Sequence, residues 1–265
     1  AGYTHVYVVA ADGGVPRQVT FGAYNEAGPL AWSADGDFVY AAGNRTPNWR
    51  REPVESEIYR VSLADGTVTA VTSRIGPDAA PDVSPDGTKV AYLGYDDKLL
   101  GYQNTPVYVM ERDGRNSRAI PAALDRNVDA VAWVDNRTLV VKYDDQGVAK
   151  LARLDLAGRV EPLAEGLSGA GLDRPYTGGE FSVAANGAVA FTSGTALRPS
   201  DVAVVTPGRR VQLPHLTDTF LGGTMRLALN VENLLNEKYF PTADGDNNIS
   251  PGAPITARLT LSASL

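Results

Sequence analysis

Apolar and polar residues alternate in short runs along this chain, and helical spacing is hard to find. A first set of runs, His5–Val9, Arg17–Thr20, Leu30–Ser33 and Phe38–Ala42, is separated by Asp12-Gly13-Gly14 and Asp35-Gly36. A second set, Glu57–Leu63, Val68–Thr72, Pro81–Ser84 and Lys89–Leu93, carries Asp65-Gly66 and Asp86-Gly87 at its breaks. Period-two alternation marks strands, and Asp-Gly or Asn-Gly marks tight turns because these need positive φ, which Gly adopts cheaply. A third set runs through Val107–Glu111, Arg118–Ile120, Ala130–Val134 and Thr138–Lys142. The fourth is Lys150–Leu156, Val160–Leu163, Phe181–Ala184 and Ala188–Thr192.

The second turn of each set falls near positions 36, 87, 136 and 187. That step of roughly 50 residues lies in the range of repeat architectures, and four strands with two turns per period describe a propeller blade. The pattern predicts an all-β chain: an incomplete β-propeller of four to five four-stranded antiparallel blades, with Ala196–Val205 and Val211–Leu213 starting the fifth. An irregular β-sandwich with coincidental turn spacing is the alternative. A seven- or eight-bladed ring of this period would need well over roughly 300 residues.

The style changes near Gly222-Gly223. Met225–Val231 and Ile255–Leu265 each alternate strictly, so each predicts a strand with one apolar and one polar face, joined by the polar stretch Thr242–Ser250. The same pattern fits the end of an outer-membrane barrel or an ordinary surface hairpin. Two domains are expected, 1–222 and 223–265.

Ile58–Val61, Ala80–Gly87, Val90–Asp97 and Arg174–Gly179 resemble the propeller of bacterial prolyl oligopeptidase family serine peptidases, the acylaminoacyl and dipeptidyl peptidase-like branch. The resemblance covers about Tyr3 to Leu221; its Ser-Pro-Asp-Gly turn is shared with TolB-like propellers. It implies a module that caps an α/β-hydrolase domain and restricts entry of large substrates, with the catalytic Ser, Asp and His all in the hydrolase. Val211–Phe220 resembles the exit from that propeller. Beyond it, Asn230–Tyr239, Asn247–Pro254 and the closing strand resemble the carboxyl end of TonB-dependent siderophore receptors, except that Leu265 stands where such barrels place an aromatic residue. The meeting of two families near 222–226 implies a truncated or chimeric product and favours a periplasmic or cell-envelope setting, with a cytoplasmic one open.

The formal charge of −7, with Lys and Arg scattered, argues against nucleic acid as a partner. The absence of cysteine removes disulfides, thiolate metal sites and Cys nucleophiles. No run reaches the roughly 18 apolar residues of a membrane helix, and Ala1–Ala11 lacks the layout of a signal peptide, so the opening at Ala1 reads as a processed or excised piece. Two strands cannot close a barrel, so stable membrane insertion of the tail is not expected.

Candidate chemistry is thin. The nearest string to a nucleophile elbow, Gly166-Leu167-Ser168-Gly169-Ala170, has Ala for the second Gly and no strand-turn-helix setting, so Ser168 reads as a turn serine. His5 and His215 are the two imidazoles, each read as a strand or loop residue. Asp96-Asp97 and Asp144-Asp145 read as solvated turn acids, and Asp244–Asn248 fails as a calcium loop because Ile249 and Ile255 take the positions of Gly and bidentate Glu. Asp12–Gly14 and Gly166–Gly171 precede no helix and cradle no phosphate. No catalytic, cofactor or metal residue is assigned.

Trp32 and Trp133 recur at one place in their units and read as core packing between blades. Asn48, Trp49, Arg50 and Arg51 lie in an insertion, Asn44–Ser56, where a propeller would touch a partner. The expected function is a non-catalytic gating or recognition module. A free-standing propeller binding peptides or a protein, and a fragment tied to siderophore uptake, are the alternatives. Unpaired blade edges add an expectation of self-association.

Overall fold

A computed structural model describes residues 2–169, 178–195, 198–206, 209–212, 226–232, 242–243, 249–250 and 256–262. His215, Arg174–Thr177, the junction at 222–225, Asp244–Asn248 and most of the receptor-like motif residues lie outside the described residues. The chain divides into two compact units, Ala1–Leu213 and Pro214–Leu265.

Among the described residues of the larger unit every element is a strand. It opens with a pair, β1 (Tyr7–Val8) and β2 (Arg17–Gln18), followed by a four-stranded sheet of β3 (Glu26–Trp32), β4 (Phe38–Gly43), β5 (Glu57–Ser62) and β6 (Val68–Ala70). The next sheet holds β7 (Asp78–Val83), β8 (Lys89–Gly94), β9 (Val107–Glu111) and β10 (Arg118–Ala119). A third set, β11 (Val128–Trp133), β12 (Thr138–Asp145), β13 (Val148–Asp155) and β14 (Val160–Leu167), touches a fourth through the single pair Leu167 and Ser193. The fourth comprises β15 (Phe181–Val183), β16 (Val189–Thr195), β17 (Arg198–Thr206) and β18 (Arg209–Gln212). Within every sheet the strands run antiparallel in sequence order, as propeller blades do.

The repeat is therefore cut half a period away from where the sequence places it. Each sequence unit supplies the outer two strands of one sheet and the inner two of the next. The runs expected to open a fifth blade accordingly supply, in β17 and β18, the outer strands of the fourth sheet. The turns themselves fall where the sequence places them. Ser33 and Ser84 hydroxyls donate to Asp35 and Asp86 at 2.6 and 2.7 Å, and Gly36 and Gly87 follow at φ 77 and 69. The Ser84 hydroxyl and the Thr88 amide hold the exposed Asp86 carboxyl down to about 2.

The core sits between sheets. In β8, Val90 and Tyr92 face the first sheet, packing with Tyr40, Ala42 and Ile58, while Ala91 and Leu93 face the third, packing with Leu139, Val141 and Ala152. In β12, Val140 points the other way, to Val189, Phe191 and Ala203. Period-two geometry thus divides each second strand between two cores, which is why the runs Val39–Ala42, Val90–Leu93 and Leu139–Val141 are apolar without a break.

The smaller unit pairs β19 (Arg226–Glu232) antiparallel with β22 (Thr256–Ser262), and β20 (Thr242–Ala243) with β21 (Ile249–Ser250).

Candidate functional site

Antiparallel order gives each blade two unlike ends. Tight turns join its first to second and third to fourth strands at one end. The second-to-third connections and the links between sheets gather at the other; the second-to-third connection is long in the first two sheets and only two residues in the third, Gln146-Gly147. The connector end therefore carries the loops Asn44–Ser56 and Tyr95–Pro106, and loops on a rigid scaffold are where propellers bind.

Two buried ionic clusters anchor this end. In the first, Glu26 opens β3 with its side chain 2% exposed, paired with the guanidinium of Arg45 and 3.2 Å from His5 Nδ1. Thr20 Oγ1 donates to Glu26 at 3.0 Å and accepts from the Val6 amide at 2.9 Å. Arg45 also lies over the rings of Tyr24 and Tyr59, 5.3 and 5.4 Å from their centroids. In the second, Asp78 opens β7 fully buried and pairs with Arg74, whose guanidinium sits 3.9 Å from the Tyr108 ring centroid and 3.3 Å from Asp96. Thr72 Oγ1 donates to Glu57 at 2.5 Å and accepts from the Ile58 amide at 2.9 Å.

Burial pushes the Glu57 carboxyl up to about 7; the Thr72 hydroxyl lowers it, and Asp78 and Glu55 add to the rise. Burial also raises the Asp78 carboxyl against the pull of Arg74. Among the described residues the Asp78 Oδ2 atom has no hydrogen-bond partner. Gly94 makes the second cluster possible, because a Cβ there would collide with Arg74, Asp78 and the Pro77 carbonyl.

A cleft of about 370 Å³ opens beside this cluster, lined by Tyr95, Asp96, Leu100, Tyr102, Pro106 and Tyr108 among others. Its loop is braced from inside: Gln103 accepts from the Lys98 amide at 2.7 Å and donates to the Asp96 carbonyl at 2.9 Å. Leu99, Leu100 and Tyr102 stand out at the rim, Leu99 90% exposed. Asp96, Gln103 and Asn104 are engaged with Arg74, the loop backbone and Asp125, while Lys98 adds an exposed cation to the lining.

The four residues expected to touch a partner stay together at this end. Asn48, Arg50 and Arg51 are exposed and Trp49 half-buried, with the Arg50 guanidinium 4.9 Å from the indole centroid and Tyr3 edge-on at 6.4 Å. The Asn48 carbonyl accepts from the Arg51 and Glu52 amides, so the insertion is a built turn.

Other sequence readings change in the structure. Ser168 is buried and shares a 2.8 Å hydrogen bond with Ser200 Oγ. Asp145 ends strand β12 and pairs with Arg126 and Lys150 at 2.8 Å each, whereas Asp96 is a solvent-exposed loop acid with one oxygen 3.3 Å from Arg74. Trp133 is core, but Trp32 is 57% exposed, because β1 and β2 cover only the outer part of the face it stands on. Thr20, His5 and Glu26 do meet as hydroxyl, imidazole and carboxylate. Both partners address the same ring nitrogen, Nδ1, and Thr20 is fully buried, so the relay through opposite ring nitrogens that a triad requires is not formed.

The two clusters and the tyrosine cleft were not singled out in the sequence. Their signal was a spacing: His5, Thr20 and Glu26 recur as Glu57, Thr72 and Asp78, each 52 residues on.

Residues 1–91 match the dipeptidyl peptidase IV N-terminal region family. A probable dipeptidyl-peptidase 5 of Emericella nidulans is 26% identical over 129 residues, 45% of this chain and 18% of that protein. Among solved structures, a puromycin hydrolase superposes with TM-score 0.60 at 21% identity, covering 80% of this chain and 35% of its own. TolB from Acinetobacter baumannii superposes at 0.58 and 17% identity, covering 95% and 60%. The chain is thus an all-β structure of propeller type, related over its amino-terminal third to the propeller regions of peptidases. It spans at most 36% of the length of the curated relatives it matches.

Proposed function

We propose that this chain is the gating and recognition propeller of a prolyl oligopeptidase-like serine peptidase, a non-catalytic module that meets peptides or a protein partner at its connector end. The match of residues 1–91 to peptidase N-terminal regions carries the reading. The cleft of Tyr95, Tyr102 and Tyr108 and the turn Asn48–Arg51, both at that end, support it. On the same reading the stretch 223–265 is a receptor-derived strand pair fused to the propeller, in accord with the resemblance of Asn230–Tyr239 to siderophore receptors and the pairing of β19 with β22. The proposed setting is the periplasm.

Fluorescence anisotropy with labelled unstructured peptides tests the recognition role. Saturable binding that weakens several-fold in Tyr102→Ala or Trp49→Ala is expected. Release of chromophore from aminoacyl or peptidyl anilides is expected to be nil. Turnover abolished by a serine-directed phosphonate would overturn the non-catalytic reading, and binding indifferent to both substitutions would remove the connector end from it. Long-read sequencing across the codons for Leu221–Arg226 tests the fusion.

A further inference from the structure

The buried clusters sit in a frame that the backbone draws three times. The Val19 amide donates to the Val6 carbonyl and the Glu26 amide to that of Thr4. Val71 and Asp78 donate likewise to Ile58 and Ser56, and Ile120 and Val128 to Val107 and Thr105. In this register His5, Thr20 and Glu26 correspond to Glu57, Thr72 and Asp78, and these in turn to Pro106, Pro121 and Val128. The third junction packs Val107, Ile120 and Val128 into an apolar core. The fold thus closes this junction without charge, and burying charge is costly. The acids of the second junction therefore serve something other than closure.

Their position shows what they reach. Arg74 joins the buried Asp78 to Asp96, whose side chain is 64% exposed on the lining of the tyrosine cleft, and its guanidinium lies against Tyr108 of the same lining. Two backbone bonds staple the loop beside that contact: the Tyr95 amide donates to the Pro77 carbonyl at 3.3 Å, and the Asp97 amide to that of Ile75 at 3.0 Å. One wall of the cleft therefore hangs on residues 74–78. On the buried side of Arg74 stands Glu57, faced by Glu55, Tyr59, Thr72 and Asp78, while Tyr92 and Tyr108 flank the arginine itself.

We infer that the proton on Glu57 regulates the cleft: with Glu57 neutral, Arg74 holds Asp96 and its loop in the binding arrangement, and with Glu57 ionised the guanidinium is drawn inward and Asp96 is released. Two carboxylates, Glu57 and Asp78, then lie on the buried side of one arginine, against a single exposed acid. Asp96 has water to replace the contact and the buried pair has none, so Asp96 is the member that lets go. Burial places the Glu57 midpoint at about 7, which puts the change between roughly pH 6 and 8. The inference rests on the reading of this cleft as a peptide site.

Carbon-detected NMR of the whole chain follows the Glu57 and Asp78 carboxyl carbons together with the amides of Asp97, Lys98 and Leu99 across that range. The loop amides are expected to shift with the midpoint of Glu57. Glu57→Gln, a neutral mimic that leaves both histidines in place, is expected to hold them at their low-pH positions throughout. Asp96→Asn is expected to keep the Glu57 titration and uncouple the loop from it. A labelled, histidine-free unstructured peptide is expected to bind about three- to fivefold more weakly at the high end of the range, the scale of one partly exposed ion pair. Because coupling is reciprocal, saturating peptide should raise the Glu57 midpoint by the matching ~0.5–0.7 pH units. Loop shifts that persist in Glu57→Gln, or equal peptide affinity across the range, overturn the regulation. Failure of the peptide to bind at any pH overturns the recognition reading instead, and the loop shifts then decide by themselves whether Glu57 governs Asp96.

Discussion

His5, Thr20 and Glu26 in one blade junction, and Glu57, Thr72 and Asp78 in the next, occupy one backbone frame with opposite charge arithmetic. In both, a threonine hydroxyl accepts from a backbone amide and donates to a carboxyl group. At the first, an imidazole and the Arg45 guanidinium answer a single carboxylate. At the second, Arg74 pairs with Asp78, and Glu57 is held by the Thr72 hydroxyl with no cation of its own; that arginine comes from the connector before β7 instead of the loop after β4. The frame fixes where an acid must sit. The source of its counter-charge is free, provided some group arrives.

The sharpest way to break this comparison is to remove each arginine. Arg74→Ala leaves Asp78 buried with no cation and is expected to cost about 3–5 kcal/mol in urea denaturation. Arg45→Ala is expected to cost less, about 1–3 kcal/mol, because His5 and Thr20 still address Glu26. Equal losses would mean that the clusters do not differ in redundancy.

Gly94→Ala attacks the second cluster alone. A methyl group driven into Arg74, Asp78 and the Pro77 carbonyl is expected to cost about 1–3 kcal/mol. Much of that loss should vanish in an Arg74→Ala background, which a double-mutant cycle would read.

The pH profile distinguishes the two arrangements next. Glu57 holds its proton to about 7 when folded, against an ordinary value of 4.5. Between those values the folded state binds more protons, so this group's contribution to stability falls as pH rises through the window. For a half-buried carboxyl, solvent screening reduces the effect to about 1–2 kcal/mol. Glu57→Gln is expected to flatten that decline and to raise the melting temperature at pH 8 while leaving it nearly unchanged at pH 4. An unchanged slope would remove Glu57 as its source.

The smallest effect concerns the backbone beside each acid. Gly28 and Ala80 both adopt left-handed φ, 76 and 50, next to the irregularities where β3 and β7 slip register. Gly suits that region and Ala does not, so Ala80→Gly is expected to stabilise by about 0.5–1 kcal/mol. Thermal unfolding of the single variant checks it.

The sequence made most strands and turns legible, for a local reason: Ser33-Ala34-Asp35-Gly36 and Ser84-Pro85-Asp86-Gly87 carry their own hydrogen-bond chemistry. The grouping of strands into sheets was not legible, because a repeat read linearly has a period but no phase. Trp32 shows the same limit. Its unit matches that of Trp133, yet burial depends on what stands behind the strand, which the residue's own surroundings in sequence do not encode. The ionic clusters were hidden because their members come from a strand start, a connector and a loop, tied only by the interval between His5 and Glu57.

The half-period stagger between sequence unit and sheet makes each unit a covalent strap, anchored at one end in the outer strands of a sheet and at the other in the inner strands of its successor. No sheet of this kind can come away from its neighbour by sliding as an intact plate. A pulling force applied along the larger unit must instead peel strands one hairpin at a time, and gain or loss of a whole unit in evolution changes the number of sheets without orphaning a strand.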